Sequence, residues 1–242
     1  MALLPWQSAI VEQVLPESPG TNRYFLRLPD TQAFDFVPGQ FITVDLPIHE
    51  QRNKRWRSYS IASAPSGTNT IELLIVRAEP SEGGSAYIWE HWKPGTVVPM
   101  RGPQGTFTVP SLLPEESLFL ICTGTGVAPF RSMLQHWHQS GTFPQQPIYL
   151  IFGGRRREDL LYESELRGLA DQYPQFRYLP TLSREAWDGA MGYVHAVYEP
   201  YCSQCPSAQF MICGWRTMVD ETKHRLEALG YDRKQIHLEL YG

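Results

Sequence analysis

The feature that most constrains the fold is a change of sequence pattern near residues 110–116. Before it, short runs alternate apolar and polar residues and are separated by turns such as those at residues 19–20 and 38–39. After it, apolar runs alternate with helix-compatible stretches. Regularly spaced short strands predict an antiparallel barrel, whereas strands alternating with helices predict a doubly wound parallel sheet. We therefore expect two domains, residues 1–112 and 113–242.

The apolar runs also predict how many strands each domain contains. In the first domain, runs at residues 9–14, 24–28, 41–46, 57–60, 71–77 and 96–100 predict a closed or nearly closed barrel. In the second, runs at residues 118–122, 148–152, 176–182, 210–213 and 236–241 predict a sheet of about five strands. Helices are expected at residues 130–138, 160–172 and 217–229.

Composition excludes several classes of protein. A hydrophobic content of 42% and a charged content of 19% are typical of a globular chain of 242 residues. The net charge of −4 argues against a nucleic-acid-binding protein, which would normally be basic. No apolar stretch approaches the roughly 20 residues that cross a bilayer, and Met1–Trp6 lacks the pattern of a secretory signal. We expect a cytoplasmic protein without a membrane span.

The four cysteines do not have the spacing of a metal or iron–sulfur site. Cys202 and Cys205 are the one close pair, and neither a second pair nor a suitably spaced histidine accompanies them. The sequence therefore predicts no metal, and we interpret Cys202 and Cys205 as an inert pair in a loop. Cys122 and Cys213 each end an apolar run.

One strand of the barrel carries side chains suited to a cofactor. Arg57-Ser58-Tyr59-Ser60 combines a cation, an aromatic ring and two hydroxyls. In a strand, Arg57 and Tyr59 share one face while Ser58 and Ser60 share the other. Arginine suits phosphate and tyrosine offers a ring for stacking, so the strand fits a flavin nucleotide. An ordinary amphipathic strand with an exposed arginine explains this stretch equally well.

A glycine-rich turn follows later in the same domain. Gly83-Gly84-Ser85 precedes a helix-compatible stretch that starts with Ala86, and a helix that begins there would expose backbone N–H groups to a pyrophosphate. The alternative is a serine-capped helix that covers the open end of the barrel.

Glycines, arginines and a cysteine follow the strands of the second domain, where ligands of doubly wound sheets bind. A helix that starts near Pro129 would direct its dipole to the same place. The first glycine pair lacks the third glycine of a full dinucleotide motif. The residues concerned are Gly124-Thr125-Gly126, Gly153-Gly154-Arg155, Ser183-Arg184, Cys213-Gly214 and Glu239-Leu240-Tyr241.

These motifs, in this order, resemble the ferredoxin–NADP reductase superfamily. The resemblance extends from about residue 7 to the end of the chain and includes Gly102-Pro103-Gln104-Gly105-Thr106-Phe107 and Thr123-Gly124-Thr125-Gly126-Val127-Ala128-Pro129. It implies a barrel that binds FAD, followed by a domain that binds NADPH or NADH. Because the four spaced cysteines of a plant-type ferredoxin are missing, we expect no fused iron–sulfur domain in this chain.

The resemblance implies roles for individual residues near FAD. Arg57 would hold the flavin phosphates, Tyr59 would pack on the isoalloxazine ring, and Ser60 would bond near flavin N5. Ser58 belongs to the same motif. The pyrophosphate would lie on Gly83, Gly84, Ser85 and Ala86, and the middle of the cofactor on Val76 and Arg77.

Further roles are implied for the nicotinamide nucleotide. Its pyrophosphate would lie on the loop from Thr123 to Gly126 and on Pro129, and its nicotinamide beside Cys213, Gly214 and Met218. The catalytic set would be Ser60, Cys213, Glu239 and Tyr241, with Glu239 assisting proton handling and Tyr241 covering the flavin. Trp215 and Gly242 depart from the family pattern.

The resemblance leaves the nucleotide preference open. Arg155, Ser183 and Arg184 suit the 2′-phosphate of NADPH, and no acidic residue directly follows the second strand to bind a free ribose hydroxyl. The sequence around Trp187 is also similar to NADH-using relatives. We expect NADPH.

The implied function is transfer of electrons from NAD(P)H through FAD to a separate carrier such as ferredoxin or flavodoxin. The basic residues Arg52, Lys54, Arg55 and Arg57 could steer an acidic partner, although a solvated loop also explains the first three. Alternatives are the reductase component of an oxygenase, a free-flavin or ferric reductase, and a non-enzymatic electron-transfer subunit.

Overall fold

The computed structural model describes residues 4–77 and 83–241. Two compact units make up the chain: Met1–Thr108 with Ala128–Gly141, and Val109–Val127 with Thr142–Gly242. The first three residues of the segment Met1–Trp6 lie outside the described residues, as does Gly242.

The first unit contains a six-stranded antiparallel barrel. Its strands are β1 (Gln7–Ser18), β2 (Thr21–Arg27), β3 (Phe41–Asp45), β4 (Trp56–Ser60), β5 (Thr70–Val76) and β6 (Val97–Gln104), in the spatial order β4-β3-β6-β1-β2-β5. Ile61 bridges to Leu73, and the Ala62 N–H donates to Glu72 O over 2.8 Å, which joins the end of β4 to β5. The prediction of an antiparallel barrel is confirmed.

Alternation along the strands fills the barrel. On β5, for example, Ile71, Leu73 and Ile75 belong to the buried core of this unit. Helix α1 (Gly84–His91) contributes Ile88 to the same core. The predicted helix after the glycine turn is therefore present.

Helix α2 (Ala128–Ser140) groups with the barrel, although it follows the first strand of the other unit. A 3₁₀ helix over Gly124–Val127 leads directly into it. The predicted start near residue 130 was two residues late, and Pro129 is the second helical residue rather than the first. The predicted division of the chain between residues 112 and 113 stays a prediction.

The second unit contains a parallel sheet of six strands. They are β7 (Ser117–Thr123), β8 (Ile148–Gly154), β9 (Phe176–Leu182), β10 (Ala190–Met191), β11 (Ala208–Trp215) and β12 (Ile236–Tyr241), in the order β10-β9-β8-β7-β11-β12. The doubly wound parallel sheet is confirmed. The expected count of about five was one too few, because the two-residue β10 pairs with β9 at Thr181 and Leu182.

Three helices belong to this unit: α3 (Glu163–Gln172), α4 (Val194–Cys202) and α5 (Arg216–Ala228). Sequence patterns predicted α3 and α5 but not α4, which contains Pro200. Cys202 is the last residue of α4 and is buried, so the interpretation of Cys202 and Cys205 as a loop pair was wrong for Cys202. Among the helices described, none is both long and apolar enough to span a bilayer.

Candidate cofactor sites

Strand β4 presents its side chains as alternation predicts. Tyr59 pairs with Ile42 and Arg57 with Val44 of β3, so Arg57 and Tyr59 share a face. Ser58 is exposed on the other face, where its hydroxyl lies 3.2 Å from that of Thr43. Ser60, on the same face as Ser58, is buried.

Tyr59 is held as a neutral phenol. Its ring packs against the barrel core, and this burial raises the pKa of Tyr59 well above its usual value, while the charge of Arg57 acts in the opposite direction. The hydroxyl of Tyr59 therefore remains a hydrogen-bond donor at neutral pH.

The start of helix α1 lies against Arg57. A Cβ added to Gly84 would stand 2.6 Å from Arg57 Cγ and 3.0 Å from Leu46 Cδ1, so only glycine permits this approach. Arg57 Nη1 donates to the carbonyls of Lys54 and Trp56 over 3.0 and 2.8 Å, which orients the guanidinium. A cation and the N-terminus of a helix therefore lie side by side, and this pairing fits a phosphate group.

The remaining predicted flavin residues of this unit lie at the end of β5 and at the start of α1. Arg77 is exposed just after β5, with its guanidinium 6.0 Å from the ring of Trp89 on α1. The N–H of Arg77 donates to Gly20 O over 2.9 Å. The other four are half-buried, one at the end of β5 and three at the start of α1: Val76, Gly83, Ser85 and Ala86.

In the second unit, the strand order reverses at β7. Strands β8 and β9 extend from one side of β7, and β11 and β12 from the other, so the carboxyl ends of β7 and β11 form the switch point where doubly wound sheets bind ligands. A Cβ on Gly126 would lie only 2.3 Å from Cys213 O. A Cβ on Gly214 would lie 2.6 Å from Thr123 Oγ1. The loop after β7 thus packs directly on the end of β11.

The switch point offers an open backbone and an unused hydroxyl. Gly124 has a φ of +53°, and a Cβ there would meet nothing within 4 Å. Thr123 Oγ1 is buried and has no hydrogen-bond partner among the described residues. Thr125 is half-buried, and the N–H groups of Gly124–Val127 head the helical segment that continues into α2. These features fit an anionic nucleotide.

Cys213, Glu239 and Tyr241 come together at the ends of β11 and β12. Cys213 pairs with Glu239 in the sheet, and its Sγ lies 3.8 Å from Glu239 Oε2. Burial and then the charge of Glu239 raise the pKa of Cys213, although a hydrogen bond with Tyr241 acts in the opposite direction. Cys213 is therefore a protonated thiol and a poor nucleophile at neutral pH.

Two neighbouring residues differ in exposure. Met218 is half-buried and lies against Gly214, since a Cβ added to Gly214 would stand 3.0 Å from Met218 Cε. Met218 Sδ accepts from Thr222 Oγ1 at 3.6 Å, and its side chain packs on the buried core of the unit. Trp215, which pairs with Tyr241, is 53% exposed.

The ends of β8 and β9 bring the predicted phosphate-binding residues together. Ser183 N–H and Oγ donate to Gly154 O over 3.0 and 3.3 Å, and Arg184 N–H donates to Arg155 O over 2.9 Å. Both arginine side chains are exposed. A groove of about 480 Å³ adjoins them, lined by Leu182, Ser183, Arg184, Glu185, Ala186, Met191 and Gly192.

Three residues to which the sequence analysis gives no role follow strands β8 and β9. Asp159 Oδ2 accepts from the N–H groups of Arg155 and Arg156 over 3.1 and 2.9 Å, and Glu185 accepts from Arg157 N–H over 3.0 Å. Tyr193, which follows Gly192, is 68% exposed. Asp159 does not directly follow β8 in the sequence, but the 3₁₀ turn Arg157–Asp159 brings its carboxylate back to the N–H groups of Arg155 and Arg156.

Comparisons with known proteins agree with this division of sites. The family described as oxidoreductase FAD-binding domain matches residues 8–109, and the oxidoreductase NAD-binding domain matches residues 120–224. The chain is 37% identical to ferredoxin–NADP reductase B of Sorangium cellulosum, with 98% of each chain covered. It is 30% identical to the phenol hydroxylase P5 protein of Acinetobacter pittii, covering 89% of this chain and 60% of that one.

Among solved structures, the chain resembles a ferredoxin NADP+ reductase from Neisseria gonorrhoeae with bound FAD and NADP. The TM-score is 0.78 at 24% identity, with 97% of this chain and 98% of that chain covered. At this identity the likeness establishes the shared fold.

Proposed function

The chain belongs to the ferredoxin–NADP reductase superfamily, and on that premise we propose how its own residues serve a flavin-dependent oxidoreductase. Its cofactors are FAD and NADPH or NADH, and its activity moves electrons from NAD(P)H to a carrier. When bound, FAD accepts a hydride from NAD(P)H and releases electrons singly to the carrier. The chain contributes binding, orientation and control of protons.

On the barrel, Arg57 and the start of α1 hold the FAD pyrophosphate. The observation that carries this assignment is the approach of Gly84 to Arg57, which leaves no room for a Cβ. Tyr59 offers a neutral ring for stacking and a hydroxyl donor, and Ser60 offers a hydroxyl near the reacting atom. The other contacts are assigned to Ser58, Val76, Arg77, Gly83, Ser85 and Ala86.

On the parallel sheet, the switch point holds the nicotinamide nucleotide. Gly124 keeps the backbone open for the pyrophosphate, Gly126 lets the loop pack against the end of β11, and Thr123 Oγ1 supplies an unused hydroxyl. The other nucleotide contacts are assigned to Thr125, Pro129, Cys213, Gly214 and Met218.

The buried thiol of Cys213 is neutral, and we assign it the role of orienting the nicotinamide. It does not act as a nucleophile. Glu239, 3.8 Å from Cys213 Sγ, is the group that holds or moves a proton there, and Tyr241 bonds the same thiol. Tyr241 also supplies the aromatic ring that covers the flavin.

We assign the preferred nucleotide as NADPH. Ser183 and Arg184 line a groove, the backbone of Arg184 is hydrogen-bonded to that of Arg155, and two neighbouring arginines suit a 2′-phosphate. Oδ2 of Asp159 accepts two backbone N–H groups, so we assign this carboxylate to holding the loop rather than to binding a ribose hydroxyl. The exposed ring of Tyr193 offers a stacking surface for the adenine.

We propose ferredoxin or flavodoxin as the carrier and the cytoplasm as the location. The relative that matches over nearly its whole length is named ferredoxin–NADP reductase B, which favours this carrier. Part of the basic cluster is neutralised within the chain, since Asp45 lies 2.8 Å from Arg55 Nε and 3.6 Å from Arg52 Nε. Steering of an acidic carrier therefore falls mainly to Lys54, because Arg57 is assigned to the FAD phosphates.

A second candidate is the reductase component of an oxygenase. Relatives named as the phenol hydroxylase P5 protein and the anthranilate 1,2-dioxygenase electron transfer component favour it. The chain spans only 60% and 55% of their lengths. Reduction of a purified ferredoxin, compared with support of an oxygenase, distinguishes the two candidates.

Replacing Arg57 with Ala tests the flavin assignment. We expect FAD binding to weaken roughly ten- to hundredfold, because charge-assisted bonds to the phosphates are lost. The measurement is the ratio of flavin to protein absorbance after gel filtration. Lys54→Ala, an exposed neighbour, is the control and should keep full FAD. Stoichiometric FAD in Arg57→Ala would contradict the assignment.

A further inference from the structure

A buried ion cluster lies on the side of the barrel that helix α2 covers. Glu72 of β5 is 3% exposed and Arg131 of α2 is 8% exposed. Glu72 accepts from Arg23 Nε over 2.6 Å and from Arg23 Nη2 over 3.1 Å. It also accepts from Arg131 Nη1 over 3.0 Å. One carboxylate therefore joins a barrel strand, its neighbour β2 and helix α2.

Helix α2 also bonds to the chain that directly follows the flavin strand. Arg131 Nη1 donates to Ala62 O over 2.9 Å, and Ser132 Oγ donates to Ser63 O over 2.6 Å. Ser63 Oγ in turn accepts from Glu72 N–H over 3.1 Å. The two donors, Arg131 and Ser132, lie in the first turns of α2, three and four residues after Ala128. The start of the helix is thereby fixed to the end of β4.

The same helix start is joined covalently to the glycine loop. The 3₁₀ turn Gly124–Val127 runs into Ala128 without an intervening residue. Any shift of Ala128 relative to the barrel must therefore be absorbed by the loop that we assign to the nucleotide pyrophosphate. Such loops lose affinity when their N–H groups move away from the anion, because the hydrogen bonds are directional.

We propose that Glu72 and Arg131 are positioning residues for nucleotide binding. Their ion pair holds the start of α2 against the strand segment that continues from Ser60, and so sets the place at which the Gly124–Gly126 loop is anchored. The proposal rests on the proposed function of that loop. Neither residue is assigned a contact with FAD or with the nucleotide.

The test replaces Glu72 with Gln, which keeps the size of the side chain and removes its charge. We expect the Kd for NADP+, measured by isothermal titration calorimetry on the FAD-loaded protein, to rise about tenfold. The FAD content and the visible flavin spectrum should stay as in the parent protein. Glu12→Gln is the matched control, since Glu12 forms an exposed barrel ion pair with Arg27. It should leave the Kd for NADP+ unchanged.

A double-variant cycle identifies the pair itself. If Glu72 acts through Arg131, Arg131→Met should raise the Kd for NADP+ to a similar degree, and adding Glu72→Gln to it should bring little further change. If the two fold-changes in the Kd for NADP+ multiply in the double variant, the assignment of the two residues as a pair is overturned. A merely structural role would lower Tm while leaving the Kd for NADP+ unchanged, and that result would overturn the proposal as well.

Gly126→Ala separates failure of this inference from failure of the proposed function. If Gly126→Ala binds NADP+ normally, the assignment of the loop is wrong. If Gly126→Ala loses binding while Glu72→Gln binds as the parent does, only the positioning proposal is overturned. Should Glu72→Gln not fold, Ser132→Ala removes the single bond to Ser63 O and carries the same test, with a smaller expected rise in the Kd for NADP+.

Discussion

At the scale of single residues, the surroundings of a glycine decide what its replacement costs. Gly126 faces the carbonyl of Cys213, so an added Cβ would meet backbone that cannot rotate away. Gly168 lies within helix α3, and a Cβ there would meet nothing within 4 Å. Replacement by alanine is therefore expected to destabilise the fold at Gly126 and to stabilise it at Gly168.

We expect Gly126→Ala to lower the free energy of unfolding by about 1–3 kcal/mol, since the loop after β7 must shift away from β11. Gly168→Ala should raise the free energy of unfolding by roughly 0.5–1 kcal/mol, because alanine loses less backbone entropy in a helix. Urea unfolding of both variants measures the difference. Equal effects at the two positions would contradict the packing described around Gly126.

Residues whose role depends on adjacent sequence could be predicted, and residues brought in by folding could not. Arg57 and Tyr59 were placed on one face by alternation alone. The position of Asp159 depends on a tight turn, and the raised pKa that keeps Cys213 protonated depends on burial and then on Glu239 from another strand. Neither leaves a local pattern, so their interactions emerge only from the fold.

At the scale of elements, the loop after β8 is held in shape by two carboxylates. Asp159 accepts from two consecutive N–H groups, and Glu185, which follows β9, accepts from a third. These bonds fix the backbone that carries Arg155. The specificity that we assign to the arginines thus depends on acidic residues that the phosphate itself would repel.

We expect Asp159→Ala to reduce kcat/KM for NADPH about fivefold, which corresponds to about 1 kcal/mol for the loss of an ordered turn. The value for NADH should change little, because NADH lacks the 2′-phosphate. Steady-state kinetics with a dye acceptor measure both values, and Glu158→Ala, an exposed neighbour, is the control. A parent protein that prefers NADH strongly would overturn the assignment of NADPH.

Two elements had no usable sequence signal. Strand β10 has two residues, too few for periodicity, and pairs because the chain after Ser183 turns back beside β9. Helix α4 contains Pro200, which normally argues against a helix interior. Long, strongly patterned elements such as β7 and α5 were predicted within a few residues.

At the scale of the whole molecule, stability should depend on pH through a half-buried histidine. His237 Nε2 lies 3.2 Å from Gln209 Oε1, whose amide donates to the buried Glu116 over 3.0 Å. Burial lowers the pKa of His237 in the folded protein. The unfolded chain therefore binds a proton at a higher pH than the folded chain does.

The sign follows from this difference. The contribution of His237 to stability is complete above the pKa of an unfolded histidine, about 6.5, and is lost as the pH falls from there toward the lower folded pKa. We expect His237→Gln to lose less free energy of unfolding than the parent between pH 7.5 and 5.5. Urea unfolding at pH 7.5 and at pH 5.5 tests this expectation, with substitution of the exposed His224 by Gln as the control. Identical losses in parent and His237→Gln would exclude this role.

The interleaving of the two compact units has a consequence for engineering chimeras. Ala128–Gly141 groups with the barrel. A cut between residues 112 and 113 therefore separates the barrel from helix α2, whose Arg131 pairs with the buried Glu72. A nucleotide-binding half transplanted from another reductase would bring a foreign helix onto this barrel. Grafts that retain residues 128–141 together with the barrel should therefore yield more folded hybrids than grafts that exchange everything after residue 112.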